Sequence, residues 1–576
     1  MSILKLFTIQ NPMDESRKSF NIQYSIFNIL LSSLLIISFF YRFYGLTNNH
    51  SFWTDESHVA IFARTILERG RPVLENGYST GTYQWLQYWL SAISARIFGL
   101  NEFTIRFPSV LFGTLTVLAV YLLGEELFNK KVALFAAFLT TFLKIEILWS
   151  RQARPYQALQ FFCLLSAYFV YKIANSKKLE IKKLLGFLIS GTLAFLMHGL
   201  GLVIFFDGLI FLLITGFARL KKRIMVILSV LFAGLFIFRR LIILNFSNLG
   251  RINNLFYYRV FLTDNYLPLI VLAGTGALFL LIEFISHSEL KESILKRARG
   301  DKRLLLFTIF LGVQSFIVSF LLGQPFIRYF YITFPFIILL ACSGINELTS
   351  YALRVLKNKL HTGFRPWYFD PPCAFRRNVG TSFCIASSLD LRPRFSLSWN
   401  KKSSIFNIQY LVFSILSILL VASLFKAKKL VLWPQTIYSL NEDMQEVPEV
   451  DWKKIYGFVG EKLKENKDAV LVANWNDLPI WYLGEERLNY ITRKDWNFKN
   501  KEDPVSGAKI INSLDEFKEV LAKERAGYFV LDSWDDYLPD GVREYCHQNL
   551  KREFEIDRLY PVQPRYWTVW VYSWGI

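Results

Sequence analysis

A chain of 576 residues that is 53% hydrophobic and 17% aromatic, with a mean hydropathy of +0.29, is too apolar for an ordinary soluble protein. Its net charge of +20 would suit nucleic acid, but the Lys and Arg residues lie mainly between apolar runs, a pattern of membrane topology with no nucleic-acid partner. Five cysteines without metal-type spacing give neither a disulfide framework nor a zinc site.

Taken in order, the N-terminus is polar and basic through Lys18 and lacks a cleavage pattern, so the first apolar run reads as a retained anchor. A bilayer is crossed by about 20 apolar residues. By that measure there are about eleven candidate spans, near 24–45, 107–123, 132–149, 156–173, 184–199, 200–217, 224–244, 267–286, 304–322, 330–349 and 405–425. The block 184–217 is split at His198-Gly199. Basic clusters then alternate as expected for a cytoplasmic N-terminus, which puts 426–576 outside the plasma membrane. Residues 1–425 read as the membrane domain, with 350–404 as a cytoplasmic loop or insert.

The first outer loop, 46–106, is long for a connector and carries two helical patterns, Val59–Leu67 and Tyr83–Phe98. In the second, Trp85, Trp89, Ile93 and Ile97 fall on one face. Both are expected to lie on the outer membrane surface among its lipids. The tail 426–576 reads as a small α/β domain. Its helices are expected at 452–465, 514–523 and 542–549, and its strands at 469–473, 528–531 and 566–572.

Ionisable groups at the edges of spans are functional candidates. The outer face collects Asp55 and Glu56 after the first span, Arg106 at the second, and Lys144 and Glu146 late in the third. It also takes Arg151, Arg154 and Tyr156 at the fourth, His198 at the fifth and Arg328 at the tenth. Carboxylates suit proton abstraction from a hydroxyl, and arginine's planar fork suits phosphate. Taken singly, Asp55-Glu56 reads equally as a helix first turn, Arg106 and Arg328 as snorkelling side chains, and His198 as a packed polar residue.

Four segments together carry a resemblance: Trp53-Thr54-Asp55-Glu56, Asn101 through Ser109, Ser150 through Tyr156, and Arg328-Tyr329-Phe330. In their order they resemble the GT-C-fold glycosyltransferases that use polyprenyl-phosphate sugars, of the family 39 protein mannosyltransferase and aminoarabinose transferase type. The resemblance implies inverting transfer of a sugar from a polyprenyl-phosphate donor to an acceptor outside the cytoplasm, whether lipid, glycan or protein. It makes Asp55 the base, with Glu56 supporting it or organising the acceptor or a metal. It gives Arg106, Arg151, Arg154, Tyr156 and Arg328 to the lipid phosphate, and leaves Lys144, Glu146 and His198 as donor or acceptor contacts. No cofactor is implied. A divalent cation is compatible with carboxylates beside phosphate, although no spacing demands one. Tyr78 through Gln84 stands where relatives carry a Lys-Pro-Pro segment, so no lysine contact to phosphate is expected from that loop. The alternative is a transporter or flippase of an anionic lipid-linked substrate. The chain shows no internal repeat of the transporter kind.

Overall fold

The computed structural model describes residues 15–80, 84–176, 180–215, 250–286, 301–323, 325–362, 401–438, 450–498, 500–532, 537–557 and 568–576. Among them, seven helices are long and apolar enough to cross a membrane: Ile26–Asn48, Glu102–Leu127, Tyr156–Asn175, Leu255–Ser286, Arg303–Phe320, Phe334–Val355 and Ile408–Lys426. The protein is a polytopic membrane protein. Large apolar side chains such as Ile36, Leu278, Leu411 and Ile418 point outward from these helices, as a lipid-facing surface requires.

One expected span takes a different form. The run 132–149 is broken into α5 (Lys130–Phe142) and α6 (Lys144–Trp149). At the break, Leu143 pairs with Leu430, and the Lys144 amide donates to the Lys429 carbonyl. The block 184–217 divides into α8 (Ile181–Met197) and α9 (Leu200–Ile214) at His198-Gly199. The expected span 224–244 lies outside the described residues, as does most of the insert 350–404.

With lipid outside, helices associate through close packing rather than the hydrophobic effect, and small residues permit it. Gly276 and Gly344 bring Leu255–Ser286 and Phe334–Thr362 together. A Cβ at Gly276 would stand 2.1 Å from the Leu340 carbonyl oxygen, whereas one at Gly274 would meet nothing within 4 Å. Gly276→Val is therefore expected to destabilise the bundle by about 1–3 kcal/mol or more through overpacking. Thermal unfolding in detergent checks this, with Gly274→Val as the near-neutral control.

The tail forms a six-stranded sheet of order β3-β2-β1-β4-β6-β5, built from β1 (Val470–Ala473), β2 (Tyr490–Thr492), β3 (Lys509–Ile511), β4 (Gly527–Asp532), β5 (Lys551–Ile556) and β6 (Val569–Trp574). The first four strands run parallel, and β6 is antiparallel to β4 and β5. Alternation along β4 sends Tyr528 and Val530 into one core, with Trp452 and Val459, and Phe529 and Leu531 into the other, with Phe517 and Val542. Trp452–Glu465, Leu514–Lys523 and Val542–Asn549 form helices where the sequence places them.

The first outer loop holds α2 (Thr54–Arg69) and α3 (Trp85–Phe98). The two helices differ from a pair lying on the membrane surface. On α3, Trp85, Ile93 and Ile97 are exposed as an apolar stripe. On α2, Val59, Ile61 and Phe62 are buried with Tyr88, Ala153 and Ile480, so this helix is a seam between bundle and C-terminal domain. Arg64 donates to the Ile480 and Trp481 carbonyls at 2.9 and 3.2 Å, the C-terminal end of a short helix, Asp477–Leu483. Ser51 accepts from the Trp452 amide and donates to the Val450 carbonyl.

Candidate active site

Asp55 and Glu56 form the first turn of α2, where negative charge is favoured by the helix dipole. Successive helical residues project about 100° apart, so the two carboxylates cannot face the same way. Glu56 turns inward and is fully buried. Its oxygens accept from Arg106 Nε at 2.7 Å and Nη2 at 2.6 Å, and Oε1 also accepts from the Ala153 amide at 2.7 Å. The remaining Arg106 nitrogen donates to the His50 carbonyl, and Phe52 covers the guanidinium. Arg106 is thus committed to an internal ion pair rather than turned toward Asp55. Glu56 is equally occupied.

Asp55 turns outward, with its side chain 32% exposed. Its Oδ2 lies 3.1 Å from Arg154 Nη2 and 3.1 Å from Arg328 Nη1. Arg154 also donates to the Asp55 carbonyl. Arg154 comes from the turn before α7 (Tyr156–Asn175), and Arg328 from the short helix Ile327–Tyr331. Trp53 stands beside both guanidiniums, while Tyr156 packs on Arg154 and Phe326 on Arg328. Burial pushes the Asp55 carboxyl up, but Arg154 and Arg328 outweigh it and hold it below its ordinary value. A carboxylate so held is a weak base, which counts against the base role expected from the sequence.

The other expected residues divide. His198 packs its ring against Tyr156 and Tyr329, on the edge of the arginine pair. Arg151 is drawn elsewhere: it donates to the Arg42, Tyr44 and Thr436 carbonyls and stitches the end of the first span to the 430s segment. Lys144 is buried at the α5–α6 break. Glu146 lies fully buried inside the bundle, where it accepts from Tyr331 Oη at 2.8 Å and from Gln160 at 3.3 Å. Tyr331 shares the five-residue helix of Arg328, and Gln157 and Gln160 follow Arg154 on α7. Tyr331 Oη also reaches Gln157 at 2.6 Å, so this buried network fixes the two arginine-bearing elements against each other.

Several residues were not foreseen. Gln152 bridges Trp53 and His50. His58 meets Asp477 of the C-terminal domain, Nδ1 to Oδ1, at 3.3 Å. Its position three residues after Asp55 was a readable signal. Among the described residues, no group of three or more His, Cys, Asp or Glu gathers to hold a metal.

Residues 85–243 match the family model described as dolichyl-phosphate-mannose-protein mannosyltransferase. An uncharacterized protein of Aquifex aeolicus (strain VF5) is 32% identical over 156 residues, 26% of this chain and 30% of that protein. YkcB of Bacillus subtilis (strain 168), provisionally named a mannosyltransferase, is 30% identical over 155 residues, 27% of this chain and 22% of that protein. The chain thus aligns with less than a third of either relative. The crystal structure of ArnT from Cupriavidus metallidurans bound to undecaprenyl phosphate superposes with a TM-score of 0.54 at 13% identity, covering 95% of this chain and 97% of that one. The chain thus shares the fold of ArnT over nearly its whole length, and its segment 85–243 is similar to the mannosyltransferase family model.

Proposed function

We propose that the protein transfers a sugar from a polyprenyl-phosphate donor to an acceptor outside the cytoplasm, with inversion at the anomeric carbon. The observation that carries this reading is one carboxylate held between two guanidiniums at 3.1 Å each, at the rim of a membrane bundle. The related structure's undecaprenyl phosphate supports a lipid phosphate as the anion. A phosphodiester donor carries one negative charge, and the departing lipid phosphate monoester carries up to two. Arg154 and Arg328 therefore bind the leaving group more strongly as the bond breaks, which lowers the barrier. Asp55, kept ionised, faces the sugar and stabilises the positive charge that grows on its anomeric carbon, as a low-pKa carboxylate does in glycoside chemistry. Trp53, Tyr156 and Tyr329 wall the site.

The test is incubation of the purified protein in detergent with a panel of polyprenyl-phosphate sugars, following lipid phosphate by mass analysis. Turnover without a sealed vesicle or gradient is the expected result. Transport activity without bond cleavage would overturn the reading. Arg328→Gln is expected to lower kcat/KM about 10²-fold. Arg328→Lys falls in between because lysine lacks the fork. Unchanged kcat/KM in Arg328→Gln would remove that arginine from the site.

A further inference from the structure

Sugar transfer to a hydroxyl releases a proton, and Asp55, held by two arginines, is poorly suited to take it. One turn along α2, His58 stands on the side of the helix that carries Asp55, since residues three apart are neighbours. Its Nδ1 lies 3.3 Å from Asp477 Oδ1, at the start of the helix Asp477–Leu483. Phe62 and Tyr88 pack on the ring and set its orientation. No other hydrogen bond to His58 is made among the described residues, so Nε2 remains open. The side chains of Asp55, His58 and Asp477 are 32%, 18% and 16% exposed, so all three are partly accessible where α2 meets the C-terminal domain. A carboxylate on Nδ1 fixes the ring proton there and leaves Nε2 as the basic nitrogen, and imidazole is the side chain suited to proton transfer near neutrality.

We propose that His58 is the general base of the transfer and that Asp477, supplied by the C-terminal domain, is its positioning residue; this rests on the transferase reading above. The acceptor's O–H proton passes to Nε2 while its oxygen bonds to the anomeric carbon. The bond from that carbon to the phosphate oxygen breaks, and its electron pair leaves with the lipid phosphate on Arg154 and Arg328. The imidazolium, stabilised by Asp477, returns the proton to water. The C-terminal domain thereby acts in the reaction as well as in the architecture.

The experiment uses the full chain in detergent, the panel of polyprenyl-phosphate sugars and octyl glycosides as hydroxyl acceptors. His58→Ala is expected to lower kcat about 10²–10⁴-fold, with the donor KM little changed. Added imidazole should restore part of that rate and none of the rate lost in Asp55→Asn. Asp477→Asn should lower kcat at least about tenfold at unchanged donor KM. His58→Gln, which keeps the side chain's bulk, replaces His58→Ala if the smaller variant unfolds, and should be as slow. Wild-type turnover with full kcat in either His58 variant, or a loss that imidazole leaves untouched, overturns the base assignment alone. Failure of the wild type to consume any donor overturns the transferase reading and the base with it.

Discussion

Asp55→Asn is expected to abolish transfer, by at least about 10²-fold, while leaving the protein folded and inserted. The change is nearly isosteric, so the first turn of α2 keeps its shape. The Asp55 side chain is 32% exposed, but Arg154 and Arg328 are only 4% and 11% exposed, so losing their counter-ion costs some stability, which thermal unfolding in detergent measures beside activity. What is lost is the negative charge beside the reacting carbon. A second consequence separates this reading from a merely structural one. Asp55 occupies both guanidiniums at 3.1 Å, so it competes with an incoming phosphate for them. Neutralising it should tighten binding of polyprenyl phosphate even as turnover disappears. Transfer assays and a binding titration with polyprenyl phosphate check both halves. Full activity, or weakened binding of the lipid phosphate, would show that Asp55 is not the centre of the site.

The importance of the 55–56 pair was legible because two carboxylates beside a span demand a reason. Their division of labour was not. It depends on helical phase and on an arginine 50 residues away in sequence. Arg106, Arg151, Arg154 and Arg328 are equivalent in a sequence, each an arginine at the edge of an apolar run. Only tertiary contacts show that Glu56 occupies the first, that backbone carbonyls occupy the second, and that the last two meet at Asp55. The same holds for α2. Its composition suits a membrane surface, but its partner Asp477–Leu483 arrives from more than 400 residues downstream. The long helices of the tail were readable from their apolar faces. Strands β2 and β3, three residues each, are too short to carry a period; β2 exists because β1 offers it an edge, and β3 because β2 does. The break at Leu143 has a similar origin, since the pairing with Leu430 comes from a distant segment.

Arg106→Met is expected to be the most destabilising single change at the site, by about 3–5 kcal/mol, because it strands Glu56 as an unpaired charge in a fully buried position. The pair Glu56–Arg106 is bidentate, with both side chains 0% exposed. Its net worth against an apolar pair is small, since desolvation offsets most of the attraction. The double variant Glu56→Leu/Arg106→Met should therefore recover much of the stability that Arg106→Met loses, and thermal unfolding in detergent measures both. Activity should not recover in parallel. Glu56 Oε1 also holds the Ala153 amide, one residue before Arg154, so the pair locks the first turn of α2 to the loop that presents Arg154. An apolar replacement can fill the volume but cannot reproduce that hydrogen bond. A stable double variant with kcat still depressed would assign the buried pair to the alignment of Asp55 with Arg154. Full recovery of kcat along with stability would reduce the pair to packing.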